Sequence, residues 1–357
     1  MGQMQDLSRR RAGTAAGAAG GLHPPGPLLP EEKGERAPAP SPLPARCLAV
    51  VGPTGSGKSE LAIRLAERFG GEILNTDSLQ VYSGLDIGTA KPEAAERARV
   101  PHHLLDLAAP DQPFSAGDFV REARRVLAEL AARERVAILC GGTGLYFRAL
   151  LQGISDIPPV PQAVRAEVAA RLKRLGAPAL HAELSRADPD AAARIHPHDA
   201  QRIARALEVY AATGRRLSAF QAAQPFRAVP GLTEPGPTQA RQVLSVGCFW
   251  ERAELYRRLD ARVERMLERG LIEEARALLA RGYGAELKPL RSIGYLEAVA
   301  HVQGRLPLAA VAPAIQLRTR HYAKRQTTWF KRHPDIFWAA PGDFAAVERR
   351  VREWLEA

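Results

Sequence analysis

Cys47 to Val51 is an unbroken apolar run, the length of a strand buried on both faces. A Gly-rich turn follows, then apolar positions at helical spacing from Ser59 to Phe69. A second short strand is predicted over Glu72 to Asn75, leading into Thr76-Asp77-Ser78. After a loop-rich stretch holding His102 and His103, a helix from Ser115 to Arg133 precedes a buried strand, Val136 to Cys140. Strands alternating with helices in this way build a parallel sheet covered by helices. From Pro158 to Phe226 the pattern is helical throughout, rich in Ala and Arg, with no strand candidate. A turn-rich linker, Pro230 to Pro237, separates it from a β-branched run, Val243 to Phe249, that can return to the sheet. Helices fill the C-terminal hundred residues. The fold class expected is α/β: a P-loop parallel-sheet core with a helical insertion domain and a helical C-terminal region. The boundaries expected are 46–157, 158–228 and 238–340.

Residues 1–45 differ in kind. Eight Pro, seven Gly and eight Ala, with hardly a branched or aromatic residue, cannot bury enough surface to offset the entropy of ordering. This segment reads as a disordered tail. Arg9-Arg10-Arg11 before an Ala/Gly run resembles the start of an export signal, but Ala12 to Gly21 holds no Leu and is too weakly apolar to act as one.

Composition narrows the class further. The chain has 357 residues, 46% hydrophobic and 25% charged, a globular composition with no apolar run long enough to span a membrane. Three scattered cysteines, Cys47, Cys140 and Cys248, are too few for a disulfide framework or a structural zinc site and fit a reducing compartment. Fifty Lys and Arg against 39 Asp and Glu leave a net charge of +11, which favours polyanionic partners. Residues 1–46 carry six basic and four acidic side chains, so most of the excess lies on the folded part.

Gly52-Pro53-Thr54-Gly55-Ser56-Gly57-Lys58-Ser59 matches G-x-x-x-x-G-K-[ST], and it falls between a strand and a helix, where the mechanism needs it. Glycines let consecutive backbone N–H groups converge on phosphate oxygens, Lys58 adds a point charge, and the Ser59 hydroxyl suits Mg²⁺. The strand Val136 to Cys140 ends in Cys-Gly-Gly and lacks the acid that ordinary NTPases place at a strand end for Mg²⁺. An acid stands instead at Asp77, after the second strand, where a carboxylate can hold Mg²⁺ or take a proton from an acceptor. A turn or N-cap role for Asp77 is the plain alternative. Gly141-Gly142-Thr143-Gly144 would face the same crevice, although spacing allows a simple tight turn equally well.

Two stretches suit nucleic acid. Gln316 to His333 holds six Lys or Arg and no acid. On a helix, Arg318, Tyr322, Arg325, Trp329 and Arg332 share one face, mixing charge for phosphates with rings for bases. In the insertion, Asp199 reads as an N-cap, placing Gln201, Arg202 and Arg205 in the first turns of a helix. His196 and His198 make only a weak case for a metal.

The motifs GPTGSGKSELA, NTDSLQVYSGLDIGTAKP, PHHLLD, CGGTGLYFRALLQG, IHPHDAQRIARALEVY, LKPLRSIGYLEA and AKRQTTWFK, in this order, resemble the tRNA dimethylallyltransferase family from about residue 46 to residue 333. The resemblance implies transfer of a dimethylallyl group from dimethylallyl diphosphate to N6 of the adenosine beside the anticodon. It implies Asp77 as the proton acceptor, with Thr54, Lys58, Ser59 and Mg²⁺ on the departing diphosphate. Arg262 is favoured over Arg258 as the catalytic arginine. The RNA contacts implied are Asp77, Ser78, Leu79 and Gln80, Thr143, Arg165, and Gln201, Arg202, Ile203, Ala204 and Arg205. To these the resemblance adds Arg291, Ser292, Ile293, Gly294 and Tyr295, and Lys324, Arg325, Gln326, Thr327, Thr328, Trp329, Phe330 and Lys331. The target base must leave its stack, so a channel between core and insertion is expected. The partners implied are the anticodon stem-loop of tRNA and dimethylallyl diphosphate, with no membrane, for a cytoplasmic monomer. The tail before Arg46 has no counterpart in the family. On the residues alone a P-loop small-molecule kinase and a non-catalytic RNA-binding protein stay open.

Overall fold

The structure is a computed structural model that describes residues 46–153, 155, 157–223, 243–340 and 342–357. The Pro/Ala/Gly tail and the Pro230 to Pro237 linker lie outside the described residues. The described chain divides into two compact units, one of residues 157–223 and one of the rest.

The larger unit is built on a six-stranded sheet of β1 (Cys47–Val51), β2 (Gly71–Asn75), β3 (His102–His103), β4 (Val136–Cys140), β5 (Val243–Cys248) and β6 (Ile336–Ala339). Its order is β3-β2-β4-β1-β5-β6 and every pair is parallel. Central β1 is at most 3% exposed along its length, which is why it reads as a continuous apolar run. Its side chains alternate between two cores. Leu48 and Val50 pack with Ile63 and Leu65 of α1 (Lys58–Phe69) and with Val347, Val351 and Trp354 near the C-terminus. Cys47, Ala49 and Val51 pack in the opposite core with Phe119, Leu127, Tyr146 and Phe147. The period of two in side-chain direction thus makes a three-layer sandwich from one strand.

The helices of that sandwich are α2 (Ala94–Arg99), α3 (Ala116–Ala132) and α4 (Gly144–Gln152). In the second unit α5 (Gln162–Leu175), α6 (Ala177–Ala187), α7 (Pro189–Ala192), α8 (Ala200–Thr213) and α9 (Leu217–Ala223) surround a core of Val168, Leu180, Leu184, Ile203 and Leu207. Asp199 caps α8, its Oδ1 accepting the Arg202 N–H at 3.0 Å. The chain returns through β5 to α10 (Arg252–Glu268), α11 (Leu271–Ala280), α12 (Tyr295–Val302), α13 (Leu308–Phe330) and α14 (Phe344–Glu356).

Four features depart from the pattern-based reading. His102 and His103 form the edge strand β3 rather than a loop, and α2 interrupts the stretch expected to be irregular. The C-terminal hundred residues are not wholly helical: β6 pairs with β5, and α14 extends the core past residue 340. Strands of two and four residues give too few positions for a period to show. Among the described residues no helix is long and apolar enough to cross a membrane.

Candidate functional site

Every strand of the sheet points its C-terminal end toward the same edge, so the loops after β1, β2 and β4 meet there. Gly57, with φ 88°, turns the loop after β1 into α1 in the left-handed conformation that glycine adopts without strain. Outside contacts hold this loop in shape. Trp250 Nε1 donates to the Ser56 carbonyl at 2.8 Å and Arg258 Nε to the Gly55 carbonyl at 3.1 Å. The Arg258 guanidinium also lies 4.2 Å from the centre of the Trp250 ring.

A cleft opens beside it, lined among others by Thr54, Lys58, Ser59, Asp77, Gln80, Arg262, Tyr322 and Gln326. Of the two candidate arginines, Arg262 therefore enters the cleft and Arg258 braces the loop from outside. Burial lowers the pKa of both Lys58 and Arg262 from their ordinary values, and the Asp77 carboxylate partly offsets this in each case. Two desolvated cations facing one carboxylate form a site short of negative charge. Lys58 Nζ meanwhile donates to the Pro53 carbonyl of its own loop at 3.3 Å. Burial raises the Cys140 thiol to about 12, so it lines the cleft as an inert apolar group.

Asp77 serves as both turn residue and cleft residue. Its Oδ1 accepts the Leu79 N–H at 2.9 Å, closing a local turn, and Oδ2 takes no hydrogen bond from the described residues. Asn75, which sequence reasoning missed, holds that turn in register. Its Oδ1 accepts the Asp77 N–H at 2.9 Å and its Nδ2 donates to the Leu104 carbonyl at 3.0 Å. Gln80 Nε2 spans to the carbonyls of Thr89 and Ala90 at 3.2 and 3.1 Å. Thr143 does not line the cleft; its Oγ1 accepts the Ser78 N–H at 3.1 Å and ties the two loops together.

The basic face of α13 is split by its neighbours. Arg318 pairs with Glu297 at 2.6 Å, and Arg320 Nε donates to Asp260 at 3.0 Å. The acids absent from the local sequence come from α12 and α10. Tyr322 turns into the cleft, and burial raises its phenol pKa. His321, Lys324, Arg325, Thr328, Trp329 and Arg332 line a separate open groove. Lys331 is exposed, its ammonium 5.6 Å from the centre of the Phe249 ring. Thr327 is half-buried, its hydroxyl bonded to the Ala323 carbonyl.

Several residues expected to touch RNA face the protein interior. Phe330 is 1% exposed and packs edge-on against Phe147, while Gln326, 6% exposed, reaches the cleft with its amide bonded to Thr54. Tyr295 is fully buried, its hydroxyl donating to Glu274 and accepting the Gly88 N–H at 3.2 Å. Gly294 is buried with it, its N–H bound to Glu297, and Ser292 caps its own turn on the Pro289 carbonyl. Ile293 is half-buried against the sheet-side core, and Arg291 alone of this segment is exposed. In the smaller unit Ile203 is fully buried and Ala204 half-buried, while Arg165, Gln201 and Arg202 are exposed and Arg205 half-buried. The side chains of Ile203, Tyr295 and Phe330 thus build cores and offer no surface to a ligand.

Among the described residues no three His, Cys, Asp or Glu side chains gather as a metal site. A divalent cation in the cleft would find the Ser59 and Thr54 hydroxyls and the carboxylate of Asp77, the one acid among the described residues lining it. That set suits Mg²⁺, which keeps several waters and binds through one or two protein oxygens plus substrate phosphates.

The IPP transferase family model matches residues 80–333. The chain is 50% identical over 311 residues to a tRNA dimethylallyltransferase of Citrifermentans bemidjiense, covering 87% of this chain and 97% of that protein. It is 49% identical over 307 residues to the tRNA dimethylallyltransferase of Anaeromyxobacter sp., covering 86% and 98%. The crystal structure of the full-length tRNA isopentenylpyrophosphate transferase from Bacillus halodurans superimposes with TM-score 0.62 at 35% identity, over 87% of this chain and 97% of that one. A eukaryotic dimethylallyltransferase acting on tRNA superimposes with TM-score 0.70 at 27% identity, over 86% and 78%. The chain belongs to the IPP transferase family, that of the tRNA dimethylallyltransferases.

Proposed function

We propose that this protein transfers the dimethylallyl group of dimethylallyl diphosphate to N6 of the adenosine next to the anticodon of tRNA, releasing diphosphate. The observation that carries the reading is one cleft holding a phosphate loop, two desolvated cations and a carboxylate, with no acid at the end of β4. The loop and the two cations suit a diphosphate, and Asp77, the acid in that lining, keeps one carboxylate oxygen unused by its turn for an acceptor amine.

In this reading the loop amides, Lys58 and Arg262 bind the diphosphate and accept the negative charge that grows as the allylic C–O bond breaks. Thr54 offers its hydroxyl to the same group. The N6 amine forms the new C–N bond, and Asp77 takes the displaced proton on the carboxylate oxygen that its turn leaves unused. Mg²⁺, held by Ser59 and the diphosphate, would neutralise charge on the leaving group. The groove of Lys324, Arg325, Thr328 and Trp329 supplies cations and a ring for RNA, with Arg165, Gln201, Arg202 and Arg205 contacting the anticodon stem-loop. Ser78, Leu79, Gln80 and Thr143 lie on the loops nearest the acceptor base. The enzyme works in the cytoplasm as a monomer.

The deciding assay incubates the full chain with unmodified tRNA and labelled dimethylallyl diphosphate or γ-labelled ATP. Label entering tRNA from the prenyl donor without ATP supports the proposal. Transfer from ATP alone, or tight RNA binding without turnover, refutes it.

A further inference from the structure

Gln326 lies in the run of α13 that the sequence assigns to RNA, yet its amide is committed on both sides within the protein. Its Oε1 accepts the Thr54 N–H at 2.8 Å, and its Nε2 donates to the Gly142 carbonyl at 2.9 Å. The orientation of the amide is dictated by its partners, since an N–H must meet an oxygen and a carbonyl must meet a donor. One side chain thus bolts the diphosphate loop after β1 to the Gly-rich turn after β4.

The turn is shaped to receive it. A Cβ at Gly142 would stand 2.2 Å from Gln326 Nε2, and one at Gly144 would stand 2.6 Å from the Trp329 ring. Gln326 is four residues after Tyr322 and three before Trp329, so the three form one stripe of α13. That stripe enters the cleft at Tyr322 and meets the turn at Gln326 and Trp329. On the outward side of the same turns, Lys324, Arg325 and Thr328 line the open groove.

We propose that Gln326 is a positioning residue: it holds the backbone of Thr54 so that the Thr54 side chain faces the cleft, and so joins the groove-bearing helix to the diphosphate loop. No other side chain among the described residues bonds the Thr54 N–H. Without the amide that N–H must seek another acceptor, and the loop loses its anchor at the residue that lines the cleft. The inference rests on the proposed reading for its catalytic consequence, but not for its effect on diphosphate binding.

Two variants test it. Gln326→Leu removes both hydrogen bonds. Gln326→Glu keeps an acceptor for Thr54 but sets a carboxylate against the Gly142 carbonyl. Thermal melts first establish that each variant is folded. Inorganic diphosphate binding is then measured by calorimetry, tRNA binding by filter retention, and prenyl transfer by kcat and donor KM. For Gln326→Leu the diphosphate Kd should rise about tenfold and kcat fall by up to about 100-fold, because a displaced group near the chemistry is costly. The tRNA Kd should stay within about twofold, because the amide is already committed to Thr54 and Gly142. Gln326→Glu should regain activity relative to wild type as pH falls, since a protonated carboxyl can donate to Gly142. Weakened tRNA binding with unchanged diphosphate affinity would make Gln326 an RNA contact and overturn the proposal. So would diphosphate affinity equal to wild type in a folded Gln326→Leu. If wild type transfers no prenyl group, the proposed function fails, and the diphosphate comparison still decides the role of Gln326.

Discussion

Arg258 and Arg262 stand one turn apart on α10 and should fail in opposite ways. Arg262 lies in the cleft with Lys58, and burial depresses its pKa because the folded, unliganded protein carries that charge at a desolvation cost. Arg262→Gln removes the cost together with the charge, so the melting temperature should hold or rise. Turnover should collapse. A unit charge about 4 Å from the leaving group is worth about 4 kcal/mol at an effective dielectric constant of about 20. Loss of one preorganised donor to a developing anion costs about 100- to 1,000-fold in kcat by analogy with oxyanion holes. Arg258 acts on the loop rather than on the substrate. Arg258→Gln forfeits the bond to Gly55 and the contact with Trp250, which are worth about 1 kcal/mol each. It should therefore melt several degrees lower, keep most of its kcat at saturating donor and show a raised donor KM. Paired melts and single-turnover prenylation separate the two. If Arg258→Gln loses more turnover at saturation than Arg262→Gln, and Arg262→Gln is the one that melts early, the roles argued from the cleft are wrong.

Asp77→Asn keeps an oxygen for the Leu79 N–H but cannot take a proton, so kcat should fall about 100- to 10,000-fold with tRNA affinity nearly intact; equal loss of both would remove Asp77 from the role of base. Arg325→Ala should weaken tRNA binding and flatten its dependence on log salt by about one unit, checked by titration at several ionic strengths, and an unchanged slope would return the groove to solvent. Glu72 is buried, which pushes its carboxyl up, but hydrogen bonds from Arg133 at 2.7 Å and from His103 at 2.7 Å outweigh this and hold it below its usual range. A depressed folded pKa stabilises above the unfolded value, near 4.3, and that stability is lost as pH falls through the folded value. Glu72→Gln should thus cost about 1–3 kcal/mol at pH 7, with the gap to wild type in denaturant melts closing below about pH 4.

What was legible in the sequence was what is local. The phosphate loop follows from glycine and lysine spacing between a strand and a helix, and Asp199 as a cap follows from its place before Ala200. Asp77 was found because strand ends meet ligands, and its turn role, weighed as the alternative, is present as well. What stayed hidden depends on distant partners. The residues that neutralise Arg318 and Arg320 come from other helices, so a stretch without acids looked freer than it is. Asn75 carried no motif; its value lies in reaching Leu104, 29 positions away.

The sequence by itself determined that a parallel sheet would present a phosphate loop and a carboxylate at one edge, because backbone turns and side-chain period obey rules that act over a few residues. The tertiary structure alone decided which members of each functional stretch face the cleft and which face the core. Tyr322, Gln326 and Phe330 are spaced for one side of a helix, yet Tyr322 lines the cleft, Gln326 lines it while clamping two loops, and Phe330 fills the interior. Helical period assigns a direction to a side chain; only the neighbours packed against it decide what it meets there.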